Sequence, residues 1–345
     1  MHLADHGPGI LEHDGPLPPS LTIGHSREGR PIEAYRLGSG GIHINLVGGC
    51  HADEPVGPRL LRRLVAYLAS PTGEPLRGLG QWSVIPHLNP DGAAVNAPWQ
   101  PERAEAYDFT ALLQHRVREL PGDDIEFGFG PGSPPPRPEN VAALDFWADG
   151  GPVDLHASMH GMSVSAGPYF LVEAGWWSRF EAYASELARE VEDAGYALHD
   201  VERLGEKGFH RLARGFCTRP DSRPMRDYFL GLGDSETAGR FRPSSMEAVR
   251  SLGGDPLTLV TEMPLFITPG VGVTLGPPDP VLETWKERIA GWQARVQRSE
   301  GEPEVLEAVR REAGVAGLQP MPVRDQMEFQ WSFVSRGIAA VLAER

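Results

Sequence analysis

Short runs of β-branched and aliphatic residues alternate along this chain with longer stretches whose apolar positions recur every three or four residues. Ile42 to Val47 is rich in β-branched and apolar residues and ends in Gly48-Gly49, which predicts a buried strand leading into a turn. From Pro55 to Ala69, Val56, Leu60, Leu61, Leu64, Val65 and Leu68 share one helical stripe, with proline tolerated in the first turn. Trp82 to Leu88, Pro152 to Leu155, Tyr169 to Val172 and Leu257 to Thr261 read as further strands. Asn140 to Ala148 reads as a helix, as does the stripe Trp177, Phe180, Tyr183, Leu187 and Val191. Two more stripes follow: Val281, Trp285, Ile289, Trp292 and Val296, then Val334, Ile338, Val341 and Leu342. Strands alternating with helices predict an α/β fold, a mixed and mostly parallel twisted sheet flanked by helices.

The organisation expected from this pattern is an N-terminal arm over residues 1–20, a catalytic domain over 21–298 and a helical C-terminal extension over 299–345. The arm is rich in Gly, Pro and His and lacks periodicity. Residues 96–137 are irregular and run into the proline-rich segment Pro131 to Pro138, a long loop of the kind that rims a site.

Composition narrows the function classes. Of 345 residues, 40% are hydrophobic and 23% charged, the balance of a soluble globular protein. The formal charge of −15 argues against a nucleic-acid partner, since phosphate binding needs a basic face. Two cysteines, Cys50 and Cys217, exclude a disulfide framework. The N-terminus has no basic segment followed by an apolar run, and no stretch approaches the ~20 apolar residues that span a bilayer. A cytoplasmic protein with no membrane partner is the expectation.

The chemistry concentrates at strand ends. His51-Ala52-Asp53-Glu54 stands between a strand with its glycines and a helix, so His51 and Glu54 can face one ion. Imidazole nitrogen and carboxylate oxygen suit zinc, and a catalytic site needs three protein ligands and an open position. A lone His-x-x-Glu would be read as an ordinary surface turn. Here Asp154-Leu155-His156 follows another apolar run and supplies His156 as the expected third ligand. His160 reads either as a rim or supporting residue or as a solvated loop histidine. Asn89-Pro90-Asp91-Gly92 is, by itself, turn chemistry. Glu262 closes the apolar run Leu259 to Thr261, a costly place for a carboxylate without a task. Its expected task is that of a general base acting on water polarised by zinc.

Taken together, Gly24 to Ile32, Gly48 to Pro55, Pro86 to Gly92, Arg137-Pro138-Glu139-Asn140, Asp154-Leu155-His156 and Thr261-Glu262 resemble the zinc metallocarboxypeptidase superfamily, the carboxypeptidase A-like peptidases. The resemblance covers about residues 20–270. It implies a mostly parallel sheet between helices, with one zinc per chain at the sheet's C-terminal edge. It also implies an arginine that stabilises the oxyanion, for which Arg118 is preferred over Arg116, the alternative being a pair of solvated arginines.

The chain departs from that family where relatives carry D-L-N-R-N-F, whose Asn and Arg grip a substrate's terminal carboxylate. The matching stretch is Asp124-Ile125-Glu126-Phe127-Gly128-Phe129, with Glu126 for the Asn and Phe127 for the Arg. Phe cannot replace a guanidinium fork. Glu126 and Phe127 are therefore expected to line a negative or apolar substrate pocket. Residues 203–250 hold ten Lys or Arg against six Asp or Glu. They read as a charged surface loop, or as a lid from which Arg240 or Arg242 reaches the substrate. The family's mobile Tyr has no counterpart, Tyr228 being the nearest. The expected activity is metal-assisted hydrolysis of an amide or peptide bond with unusual C-terminal specificity. The alternatives are a small-molecule deacylase of the aspartoacylase or succinylglutamate desuccinylase kind, and a silent binding module.

Overall fold

The computed structural model describes residues 3–119, 122–131, 135–271 and 279–345. Gly132 to Pro134 of the proline-rich segment lie outside the described residues. Ten strands, β1 (Leu21–His25), β2 (Pro31–Leu37), β3 (Ile42–Gly48), β4 (Gly80–Ile85), β5 (Leu155–Ser165), β6 (Tyr169–Val172), β7 (Arg211–Ala213), β8 (Phe216–Thr218), β9 (Leu257–Ile267) and β10 (Gln319–Pro320), form one sheet. Its order is β1-β2-β4-β3-β5-β9-β6-β8-β7, with β10 paired to β9. The central strands β4, β3, β5 and β9 run parallel. Antiparallel pairings flank them. This is the expected mixed sheet with helices on its faces.

Each central strand feeds two cores. In β3 all seven positions are buried. Ile44 and Leu46 enter the larger cluster with Leu60, Leu64 and Leu68 of the helix Val56–Ala69. Val47 points the other way, toward Ile85 and the helix Pro138–Gly150 with its Phe146 and Trp147. Burying each large aliphatic side chain contributes about 1.5–3 kcal/mol. A continuous apolar run is what a strand covered on both faces requires.

Several segments differ from the sequence reading. Residues expected as an aperiodic arm include the helix Gly7–Glu12, whose Ile10 and Leu11 are buried against the large core. The strand expected over Trp82 to Leu88 ends at Ile85. Asn-Pro-Asp-Gly starts a helix, Pro90–Asn96, rather than a simple turn: the Asn89 side chain accepts from Gly92 N at 3.0 Å and Pro90 occupies the first turn. The helix Val323–Ala343 lies on the sheet, close enough that a Cβ on Gly337 would meet Leu259 at 2.6 Å and Leu155 at 2.7 Å. The strand expected over residues 152–155 begins at Leu155 and runs to Ser165. That last difference determines the site.

Candidate metal centre

The site lies where β3 ends, at Gly48 beside Met159 of β5, while β5 and its neighbour β9 run on past it. After β3 the chain turns at Gly49, whose φ is +66° and whose missing Cβ would lie 2.4 Å from the His87 ring. Only glycine fits there. The turn delivers His51 and Glu54 to this place, and β5 delivers His160. His51 Nδ1 lies 3.0 Å from Glu54 Oε1. His160 Nδ1 lies 2.8 Å from Glu54 Oε2 and 3.1 Å from His51 Nδ1. Gly161 N donates to Glu54 Oε2 at 3.1 Å and fixes the carboxylate.

The outer ring nitrogens are also committed. His51 Nε2 donates to Asp124 Oδ1 at 3.0 Å, and His160 Nε2 donates to Glu126 Oε2 at 3.2 Å. Both imidazoles therefore turn Nδ1 toward the same point as Glu54. Two imidazole nitrogens and one carboxylate converging on a point are a donor set of the kind that suits a catalytic zinc. Among the described residues, two groups have ligand atoms within 4.8 Å of one another: His51, Glu54 and His160, and Cys50, Glu126 and His160.

Electrostatics fit a cation at that point. Burial alone would raise the Glu54 carboxyl, but the facing His51 and His160 hold it well below the usual carboxylate range. Burial would lower His160, yet Glu54 and Glu126 push it up to about 10. The cluster thus gathers positive charge between its carboxylates. Glu262 pairs in register with His160 across β5 and β9. Burial and the nearby Glu54 charge push its carboxyl up to about 8. Burial disfavours charge on Arg118, but Glu54, Asp53, Glu262 and Asp124 outweigh it and raise the guanidinium's pKa. Arg118 is an exposed residue within electrostatic reach of the cluster. Arg116 is held by Asp53 through Nε at 2.7 Å and Nη2 at 2.6 Å.

The remaining expected residues lie elsewhere or do something else. His156 is absent from the cluster. It points to the same face as His160, but four residues earlier, about 13 Å along the strand. Asn45 Nδ2 donates to its Nδ1 at 3.0 Å, its Nε2 donates to Ser245 Oγ at 3.2 Å, and Trp147 packs edge-on against it. Burial pulls it down to about 4, so it is neutral. Glu126 does not line a substrate pocket either, because its buried carboxylate is bonded to His160, Ser158 and Ser245. Phe127 meets Phe241 edge-on at 5.4 Å, and Phe241 stacks on Phe229. Arg240 pairs with Glu236 and lies over Gly122, while Arg242 N donates to Phe127 O at 3.0 Å. Asp124, unassigned in the sequence reading, anchors His51. One signal pointed to His160: His156-Ala157-Ser158-Met159-His160 alternates polar and apolar, which predicts a strand carrying both histidines on one face.

The family model described as zinc carboxypeptidase matches residues 19–191, half of the chain. The chain belongs to the zinc carboxypeptidase family. The matched residues include His51, Glu54, Asp124, Glu126 and His160 and stop short of Glu262. Among solved structures, this family member is similar to bovine thrombin-activatable fibrinolysis inhibitor in complex with tick carboxypeptidase inhibitor, at 14% identity and TM-score 0.49, over 99% of this chain and 96% of that one. It is also similar to a metallo-carboxypeptidase from Burkholderia cenocepacia, at 13% identity and TM-score 0.48, over 98% of this chain and 68% of that one. A metallo-carboxypeptidase from Pseudomonas aeruginosa, in complex with (2-guanidinoethylmercapto)succinic acid, aligns at 18% identity and TM-score 0.42, over 76% of this chain and 58% of that one. No curated protein matches the sequence.

Proposed function

We propose that this chain is a zinc-dependent hydrolase of amide or peptide bonds with atypical specificity at the substrate's C-terminal end. The observation that carries the reading is the convergence of His51 Nδ1, His160 Nδ1 and Glu54 on one point, with Glu262 beside His160 on the neighbouring strand. His51, Glu54 and His160 would hold the metal, which supplies Lewis acidity toward a carbonyl oxygen and toward water. Glu262 takes a proton from the attacking water and returns it to the leaving amine. Arg118 holds the negative charge that develops on the carbonyl oxygen. Asp53 keeps Arg116 out of that role.

Specificity follows from Phe127. Where relatives place a guanidinium, this chain has an aromatic ring packed on Phe241, and a terminal carboxylate gains no bidentate partner from it. Substrates ending in a carboxamide or an apolar group are favoured over free carboxylates. No helix among the described residues is long and apolar enough to cross a membrane.

The test is zinc titration of the full chain, followed by turnover of an amide library containing matched carboxylate and carboxamide ends, peptides and N-acyl amino acids. One zinc per chain and hydrolysis are expected. Glu262→Gln should keep the zinc and lose roughly 10²- to 10⁴-fold in kcat, the range for a general base. Near-normal turnover by that variant would refute the mechanism. A strong carboxylate preference abolished by Arg240→Ala or Arg242→Ala would show instead that the terminal grip has moved.

A further inference from the structure

We propose that Glu126 is a positioning residue of the metal centre, which converts a position used by relatives for substrate into a support for the ligand His160. The inference rests on the zinc reading above and concerns how tightly the metal is held. A carboxylate that is only 3% exposed is expensive unless each oxygen has partners. Glu126 has them. Oε1 accepts from Ser245 N at 3.0 Å and from Ser245 Oγ at 2.7 Å. Oε2 accepts from Ser158 Oγ at 3.2 Å and from His160 Nε2 at 3.2 Å. These bonds leave Glu126 turned away from any substrate and toward the back of the imidazole.

The consequence for His160 is specific. A ring whose Nε2 proton is held by acceptors behind it leaves Nδ1, the atom that faces His51 and Glu54, as the nitrogen that would give up its proton to a metal. Asp124 does the same for His51, and Asp124 Oδ1 also accepts from Glu126 N at 2.7 Å. One short loop thus helps orient both ligand histidines, His51 through Asp124 and His160 through Glu126 together with Ser158 Oγ, which lies 2.8 Å from His160 Nε2 and itself donates to Glu126 Oε2. The loop is in turn strapped to residues 242–245: Arg242 N donates to Phe127 O, Ser245 N to Glu126 O and Phe129 N to Pro243 O. The strap belongs to the arginine-bearing segment that the sequence alone assigned to a surface loop or a lid. Supporting partners of this kind typically contribute about 10- to 100-fold in metal affinity.

The experiment is competition titration of zinc against a chromophoric chelator, on the full chain and on Glu126→Gln, Ser245→Ala and Cys50→Ser. The wild type should bind one zinc per chain. Glu126→Gln should bind one zinc about 10- to 100-fold more weakly. Ser245→Ala should weaken binding in the same direction by less, and Cys50→Ser should leave the affinity unchanged. At saturating zinc, Glu126→Gln should lower kcat and leave KM unaltered, as a residue acting through His160 would. An unchanged zinc affinity in Glu126→Gln, or a raised KM with kcat intact, would overturn the proposal while leaving the zinc reading standing. A second zinc in the wild type that disappears in Cys50→Ser would also overturn it, because Glu126 would then be a ligand. A wild type that binds no zinc would remove both readings. If Glu126→Gln fails to fold by circular dichroism, Ser245→Ala decides, and an unaltered affinity there overturns the proposal.

Discussion

The two ends of the stretch from His156 to His160 hold the same residue type on the same face of one strand, yet they do different work. At the inner end, Asn45, Ser245 and Trp147 enclose His156, which stays neutral and fully buried. At the outer end, His160 faces His51 and Glu54 and is backed by Glu126. Identity and face are shared; what differs is that His156 lies beside β3, opposite Asn45, whereas His160 lies just past the end of β3 at Gly48, with the charges gathered there. Chemistry accumulates where strands end because loops can bring ligands from several elements to one point. Four residues further in, neighbouring strands leave space only for packing and neutral hydrogen bonds.

The largest expected effect breaks this comparison directly. His160→Gln should reduce zinc content from one per chain to near zero at micromolar metal, because a three-ligand site loses a third of its donors. His156→Gln should retain zinc stoichiometry. Elemental analysis after dialysis reads both. Loss of zinc in His156→Gln with retention in His160→Gln would reverse the ligand assignment.

How far this was legible depended on what each signal measures. Apolar runs report burial, and they located β3, β6 and the Val56–Ala69 helix within a residue or so. They failed for β5 because its polar residues interrupt the apolar run at His156, Ser158 and His160, so the strand read as if it stopped at Leu155. Those side chains are tolerated inside the sheet because Asn45, Ser245 and Glu126 satisfy them, and all three partners are distant in sequence. The same blindness misplaced Glu126. The pattern correctly flagged an odd carboxylate but could not reveal that His160 and Ser245 surround it. The nearness of His51 and Glu54 was legible because they share one short motif after an apolar run, and Glu262 stood out because it closes the run Leu259 to Thr261. Asp124 carried no assigned role, since its bond to His51 spans 73 residues that include β4 and the helices Val56–Ala69, Pro90–Asn96 and Phe109–His115, the last inside the stretch the sequence reads as irregular.

An intermediate effect sharpens the comparison through pH. Burial lowers His156, His87 and His199 to about 4 in the fold, below the ~6.5 of an unfolded histidine. As pH falls below ~6.5 the unfolded chain takes up these protons first, so their stabilising contribution is complete above ~6.5 and declines toward pH 4. Each such group adds a slope of up to about 1.4 kcal/mol per pH unit inside that window. Urea unfolding of the metal-free protein at pH 7, 6 and 5 should show the decline, and His156→Gln should make it shallower. An unchanged slope in that variant would mean that His156 titrates normally in the folded state.

The smallest effect concerns leakage between the two ends. Ser245 links His156 to the support of His160: its Oγ accepts from His156 Nε2 at 3.2 Å and donates to Glu126 Oε1 at 2.7 Å. Removing His156 therefore disturbs the support of His160 only at second hand. Ser245 N still donates to Glu126 Oε1 at 3.0 Å, and Ser158 still donates to Oε2, so the carboxylate keeps most of its partners. The local cost should appear as stability instead, because Asn45 and Ser245 lose a shaped partner in a dry interior, at about 1–3 kcal/mol. His156→Gln should accordingly weaken zinc by no more than about threefold, well below the 10- to 100-fold range of a residue bonded directly to a ligand. Measured side by side, unfolding free energy should change clearly and zinc affinity barely. A tenfold loss of zinc affinity in His156→Gln would mean that Asn45, His156, Ser245, Glu126 and His160 behave as one rigid unit. The two histidine positions would then be coupled, and the contrast between them would be one of degree.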